Sequence, residues 1–230
     1  MCLLVALLVA CNGAAAPTAP PQAPSPPPVE VELAVSPPVR VVFLGDSLTA
    51  GLGLAAEEAY PAQLGRAWRE AGLAVEVVNA GVSGDTTAGG VRRLDWLLGQ
   101  KPAVVVVALG ANDMLRGLPV EEIEANLRTI VRRSKEAGAD VVLVGMRANP
   151  TLGPDYGAGF DGIYPRLAAE LAVPLVPFLL EGVAGVPALN QPDGLHPTAA
   201  GQARLAGLVG PTVEPVVRAR APNPPPGGSP

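Results

Sequence analysis

The chain has 230 residues, 49% of them hydrophobic, enough for one domain of ordinary size with a full core. A formal net charge of -5 with no basic stripe excludes an electrostatic case for a nucleic-acid partner. The cysteines are Cys2 and Cys11, both at the N-terminal end, and His196 is the one histidine, so the body has no thiol chemistry and no disulfide, and a zinc site would need carboxylates alone.

Residues 1–11 contain the apolar run Leu3 to Ala10, too short for the ~20 residues that cross a bilayer and suited to the apolar region of a secretory signal. Leu8-Val9-Ala10-Cys11 resembles the lipobox of bacterial lipoproteins, in which the signal is cut before a cysteine that then carries the lipid. Cys11 is therefore the expected lipid attachment site, although no Lys or Arg precedes the apolar run and an ordinary cleaved signal is the alternative. Residues 12–38 are dominated by Pro and Ala, a composition that forms a semi-rigid tether. Fully extended, it would hold a domain up to ~80 Å from its anchor. The expectation is an exported protein, anchored in a membrane and facing the periplasm or the cell surface, otherwise periplasmic or secreted. The catalytic body spans 39–218, and the Pro/Gly-rich tail, 219–230, reads as disordered.

Between these ends apolar runs alternate with helical patterns. Strands are expected at Arg40–Leu44, Val75–Asn79, Val104–Leu109, Val141–Gly145 and Leu175–Val176. Helices are expected at Ala59–Ala71, Thr87–Leu98, Val120–Ala137, Gly159–Ala172 and Thr198–Val217. Repeated strand–helix units of this length require a parallel sheet covered on both faces, hence a three-layer α/β/α sandwich of about five strands. Arg92-Arg93 and Arg132-Arg133 read as solvated pairs on helix surfaces.

The carboxyl edge of such a sheet is where ligands bind, so the residues after each strand carry the functional information. After the first strand comes Gly45-Asp46-Ser47, a hydroxyl delivered to a turn, or else only a turn and helix cap. After the second comes Asn79-Ala80-Gly81-Val82-Ser83-Gly84, where Gly81 is read as a backbone amide open to a ligand, with a plain turn as the alternative. After the third comes Gly110-Ala111-Asn112-Asp113, which offers a carboxamide donor or a helix cap. A hydroxyl, an open amide and a carboxamide are the parts that attack an acyl carbon and hold the resulting oxyanion.

A serine nucleophile needs a base, and a lone histidine is more often structural or simply exposed. His196 lies in Gln191-Pro-Asp-Gly-Leu-His-Pro197, with Asp193 three residues before it in a constrained turn. That spacing lets the carboxylate reach Nδ1 while Nε2 faces a serine, giving a triad of Ser47, Asp193 and His196.

These residues resemble the blocks of the SGNH, or GDSL-type, hydrolase family: Gly45-Asp46-Ser47-Leu48, Gly81, Gly110-Ala111-Asn112-Asp113 and Asp193-Gly194-Leu195-His196-Pro197. The resemblance implies a flavodoxin-like sandwich with Ser47 as nucleophile, His196 as general acid and base, and Asp193 orienting it. It also implies an oxyanion hole made of the Ser47 amide, the Gly81 amide and the Asn112 side chain. The neighbouring residues are similar to the bacterial arylesterase, thioesterase and lysophospholipase branch. That likeness implies cleavage of esters of small or medium acyl groups, small-molecule esters and lysophospholipids among them, with no metal or cofactor required; a monomer is expected. Phe178, Leu179, Leu180, Val183, Val186 and Leu189, with Met146 to Tyr156, are read as walling an acyl pocket, with Phe178 to Val183 as plain core the alternative.

Three rivals are weighed. Gly51-Leu-Gly53-Leu-Ala-Ala56 fits a dinucleotide fingerprint, but it starts well past its strand, and the second strand ends in Asn79 where an acidic residue should hold a ribose. A carbohydrate deacetylase or acetyltransferase of the same family is the second, and a non-catalytic acyl- or glycan-binding lipoprotein the third.

Overall fold

The computed structural model describes residue 13 and residues 37–221. The signal with Cys11, the linker before residue 37 apart from residue 13, and the tail beyond residue 221 lie outside the described residues.

Five strands, β1 (Val39–Gly45), β2 (Val75–Gly81), β3 (Val104–Ala108), β4 (Asp140–Val144) and β5 (Leu175–Val176), form one sheet in the order β2-β1-β3-β4-β5. All four pairings are parallel. Val41, Val42, Phe43 and Leu44 of β1 are 0% exposed. Such unbroken burial follows from covering both faces, and it is why these strands read as continuous apolar runs with no alternation. β2, at the edge, is only partly buried.

Among the described residues eight α-helices complete the layers: α1 (Ser47–Ala50), α2 (Tyr60–Glu70), α3 (Thr87–Leu98), α4 (Ala111–Leu115), α5 (Val120–Glu136), α6 (Pro154–Asp161), α7 (Ile163–Leu171) and α8 (Ala199–Arg220). α2 and α8 pack on each other along one face of the sheet, while α3, α5 and α7 cover the other. On α5 the expected stripe of Ile123, Leu127, Ile130 and Val131 is fully buried, and Gly138 follows with a φ of 88°, a conformation that favours glycine at a helix end. Phe43 anchors the α2 side by packing edge-on to Tyr60 at 5.6 Å and stacking on Trp68 at 6.4 Å.

The short helices α1 and α4 were not foreseen, most other element ends fall within two residues of expectation, and two of the expected helices differ by more. The helix foreseen at Gly159–Ala172 is two helices, α6 and α7, with Gly162 between them. Pro165 has no N–H to give the carbonyl four residues back, so one continuous helix would leave a backbone acceptor unpaired there. α8 runs to Arg220, two residues into the stretch assigned to the tail. Its buried stripe, Leu205, Val209, Val213 and Val217, carries the helix past Pro211 and Pro215, which lie on its exposed side.

The register sets the site. Gly45 at the end of β1 stands opposite Gly81 of β2 and Ala108 of β3. Three consecutive strands therefore release the chain at one level. β1 and β3 are neighbours from which the chain departs into different layers, the switch point at which open α/β sheets form a crevice.

Candidate active site

Ser47 is the first residue of α1. Asp46 caps that helix, its Oδ1 accepting the Leu48 N–H at 3.0 Å, so the cap and the presented hydroxyl are two functions of one turn. Gly45 permits the turn because a side chain there would run into Thr49. Ser47 is 8% exposed, and its Oγ lies 2.9 Å from Nε2 of His196.

The His196 ring is held from the other side by Asp193, whose Oδ2 is 2.6 Å from Nδ1. Asp193 Oδ1 accepts the backbone N–H groups of Leu195 and His196 at 2.9 and 3.0 Å. The His196 backbone N–H, the His196 ring and then the Leu195 N–H favour the charged carboxylate and hold its pKa down at about 2. A charged Asp193 accepts a hydrogen bond from Nδ1–H, the tautomer that leaves Nε2 to accept from the Ser47 hydroxyl.

Asn112, in α4, points its carboxamide into the same crevice and donates to Asp46 Oδ2 at 3.3 Å. Asp46 is 2% exposed. Burial pushes its pKa up to about 6, against the opposing pull of the Leu48 N–H and of His196.

Gly81 is a correction. Its N–H donates to Asn79 Oδ1 at 3.0 Å, so it is not open to a ligand. Glycine is required there for packing, since a Cβ would stand 2.2 Å from the Ala50 nitrogen and 2.8 Å from the Asp46 carbonyl oxygen. Three residues on, Gly84 has a φ of 79° and room for a Cβ, whose nearest neighbour would be an Arg116 nitrogen at 3.9 Å, and its N–H has no hydrogen-bond partner among the described residues. The Gly84 carbonyl accepts from Arg116 at 2.9 Å, which ties this loop to the end of α4, the helix carrying Asn112.

Arg93 is a second correction. Far from being solvated, it donates to Asp85 at 2.8 Å, to the Ala80 carbonyl at 2.6 Å and to the Gly45 carbonyl at 2.9 Å. One guanidinium thus clamps the carboxyl ends of β1 and β2. The signal was present in the sequence: Arg93 is four residues from Gly89 and from Leu97 on the buried stripe of α3, whereas Arg92 is not.

Ser47, Asn112 and His196 open into a cavity of about 640 Å³ walled by Met114, Leu115, Met146, Phe178, Leu180 and Leu195. Phe178 and Leu180 are wall residues as one reading held, and the segment from Met146 contributes as far as Pro150. Leu179 and Val183 are core, 1% and 0% exposed. Val186 and Leu189 do not face the cavity.

The residues match the GDSL-like lipase/acylhydrolase family over positions 43–204. The chain belongs to that family. As a GDSL-type protein it is a carboxylic ester hydrolase with the α/β sandwich of the SGNH hydrolases. It is 42% identical over 178 residues to esterase TesA of Pseudomonas aeruginosa, covering 77% of this chain and 89% of that protein. It is 40% identical to thioesterase 1/protease 1/lysophospholipase L1 of Escherichia coli K12, covering 77% and 84%. The crystal structure of TesA superposes with a TM-score of 0.74 at 42% identity, covering 77% of this chain and 99% of that one.

The GDSL-type fold also accounts for the glycines that resembled a dinucleotide motif. Gly51, with a φ of 74°, closes α1 by donating to the Ser47 carbonyl. Asn79, in place of a ribose-binding carboxylate, donates to the Thr49 carbonyl at 2.8 Å. Among the described residues no cluster of three His, Cys, Asp or Glu side chains stands ready for a metal, and no helix is long and apolar enough to cross a membrane.

Proposed function

We propose that the chain hydrolyses carboxylic esters of small to medium acyl groups through an acyl-enzyme on Ser47. The observation that carries this reading is the hydrogen-bonded line Ser47 Oγ, His196 Nε2, His196 Nδ1, Asp193 Oδ2, at 2.9 and 2.6 Å, opening into a mostly apolar cavity that Arg147 and Asn149 also line.

His196 Nε2 takes the Ser47 proton as Oγ bonds to the ester carbonyl carbon, and Asp193 stabilises the imidazolium that forms. The carbonyl electrons move onto oxygen, where the Ser47 N–H, the Asn112 carboxamide and, in place of Gly81, the Gly84 N–H receive them. The Ser47 amide is suited to this because it is the first of its helix and has no acceptor among the described residues. His196 then protonates the leaving alcohol or thiol as the bond to carbon breaks. Water, deprotonated by the same imidazole, next attacks the acyl carbon; the bond to Oγ breaks, the carboxylic acid leaves, and the imidazolium returns its proton to the Ser47 oxygen.

The apolar walls favour an acyl chain over a glycan, which sets this reading ahead of a carbohydrate deacetylase. Relatives named esterase, arylesterase and lysophospholipase support aryl esters and lysophospholipids as substrates. An exported monomer anchored through Cys11 completes the proposal, supported by the sequence at residues 8–11 and by the Pro-rich linker.

A series of p-nitrophenyl esters from acetate to palmitate tests the substrate reading. Turnover is expected to peak at short to medium chains. Release of acetate from acetylated polysaccharide without turnover of p-nitrophenyl butyrate would contradict it. Labelled palmitate incorporated by the native chain in a bacterial host, and lost in Cys11→Ala, tests the anchor.

A further inference from the structure

The loop that carries Asp193 and His196 is held by little packing. Asp193 is 45% exposed at its side chain and Leu195 is 53% exposed, yet the loop must keep an imidazole within hydrogen-bond reach of a hydroxyl 149 positions away. Backbone bonds inside the loop, Gln191 N–H to the His196 carbonyl at 2.7 Å and Gly194 N–H to the Gln191 carbonyl at 2.8 Å, fix its own shape. They do not fix its place against α1.

Apart from the His196–Ser47 bond itself, one side chain makes that connection among the described residues. The carboxamide nitrogen of Gln191 donates to the Leu52 carbonyl at 2.7 Å and to the Pro197 carbonyl at 3.0 Å. Leu52 in turn gives its own N–H to the Ser47 carbonyl at 3.1 Å, and Pro197 is bonded covalently to His196. A closed circuit results: Ser47 backbone, Leu52, Gln191, Pro197, His196, and back through Nε2 to the Ser47 hydroxyl. The neighbouring glutamine, Gln202, ties α1 to α8 by donating to the Leu48 carbonyl at 3.0 Å, but it leaves the histidine loop untouched. Gly53 supports the same circuit from outside: its φ is 81°, and a Cβ there would stand 2.7 Å from the Gln191 side-chain oxygen. The second glycine of the Gly51-x-Gly53 pair thus makes room for the carboxamide.

We propose that Gln191 is a positioning residue, a latch that sets the distance between the nucleophile and its base. This rests on the reading of Ser47 and His196 given above. Removing the latch lets the loop move without removing any group that touches substrate, so kcat falls while substrate binding is kept. An ångström of misplacement is enough to cost on the order of 10²-fold in rate.

The test compares Q191A and the isosteric Q191E, which turns an acceptor toward two carbonyl oxygens, with the parent and with S47A on p-nitrophenyl butyrate. Both Gln191 variants are expected to lose about tenfold or more in kcat with KM changed by less than about twofold. Labelling by a fluorophosphonate should slow by the same factor, and Tm should stay within a few degrees of the parent. Parent-like kcat in both variants, beside an inactive S47A, overturns the latch while leaving the nucleophile in place. Loss of folding in Q191E, or a rise in KM that matches the fall in kcat, overturns it in favour of a purely structural side chain. An active S47A removes the reading on which the latch rests.

Discussion

The carboxamide of Asn112 rests on the buried carboxylate of Asp46, nitrogen to Oδ2 at 3.3 Å, one residue before the serine it faces. The contact is long for a hydrogen bond to a charged group and leaves the second amide hydrogen for another acceptor. Asn112→Ala is expected to lower kcat by ~10²–10³ with KM little changed, as loss of one oxyanion donor does. Steady-state kinetics check this, and a fall of less than a few-fold would remove Asn112 from the oxyanion hole.

Asp46 carries a pH signature in stability. Burial raises its folded pKa to about 6 from the ordinary 3.8, so between those values the folded chain holds a proton that the unfolded chain has released. The folded state is therefore favoured most below pH 4, and this contribution is lost as pH rises through 6. The difference amounts to about 3 kcal/mol. Asp46→Asn keeps an acceptor for the Leu48 N–H and has no charge to bury. Its Tm should gain on the parent between pH 4 and pH 7, measured at each pH. A constant offset would contradict the assignment.

Arg93 holds two strand ends that meet at the site. Arg93→Met removes the guanidinium's bonds to the Gly45 and Ala80 carbonyls, the first of which still accepts the Val82 N–H at 3.0 Å, and a hydrogen bond from a charged donor contributes about 1.5–3 kcal/mol. Thermal melts should show that loss together with a fall in kcat of about tenfold. Arg93→Lys should recover only part, since one ammonium cannot reproduce a planar fork aimed at three acceptors. Full recovery in the lysine variant would reduce Arg93 to its charge.

Gly81 and Gly84 should respond differently to alanine. At Gly81 the new Cβ meets the backbone of α1, and overpacking of this kind costs about 1–3 kcal/mol. At Gly84 there is space and only the positive φ opposes the change. Melts of the two variants should therefore show the larger loss at Gly81. Equal losses would contradict close packing as the reason for that glycine.

The sheet was legible because a strand buried on both faces leaves an uninterrupted apolar run, as at Val41–Leu44 and Val104–Val107. The break between α6 and α7 was legible in part: Pro165 was visible, but helical periodicity ran across it. At the site, the turn at Ser47 and the Asp193–His196 spacing are local and could be read directly. What Gly81 and Arg93 touch is set by the register of β1 against β2 and by the rotation of α3. Neither is written in a local pattern, so glycine read as an open amide and arginine read as solvated were both local readings of long-range facts.

The most direct measurement of the central claim is covalent labelling with a fluorophosphonate followed by peptide mass spectrometry on the parent, Ser47→Ala and His196→Ala. The adduct should map to Ser47 in the parent, be absent in Ser47→Ala, and form far more slowly in His196→Ala, with ester hydrolysis falling in step. An adduct on another residue, or hydrolysis by Ser47→Ala at a rate near the parent's, would contradict it.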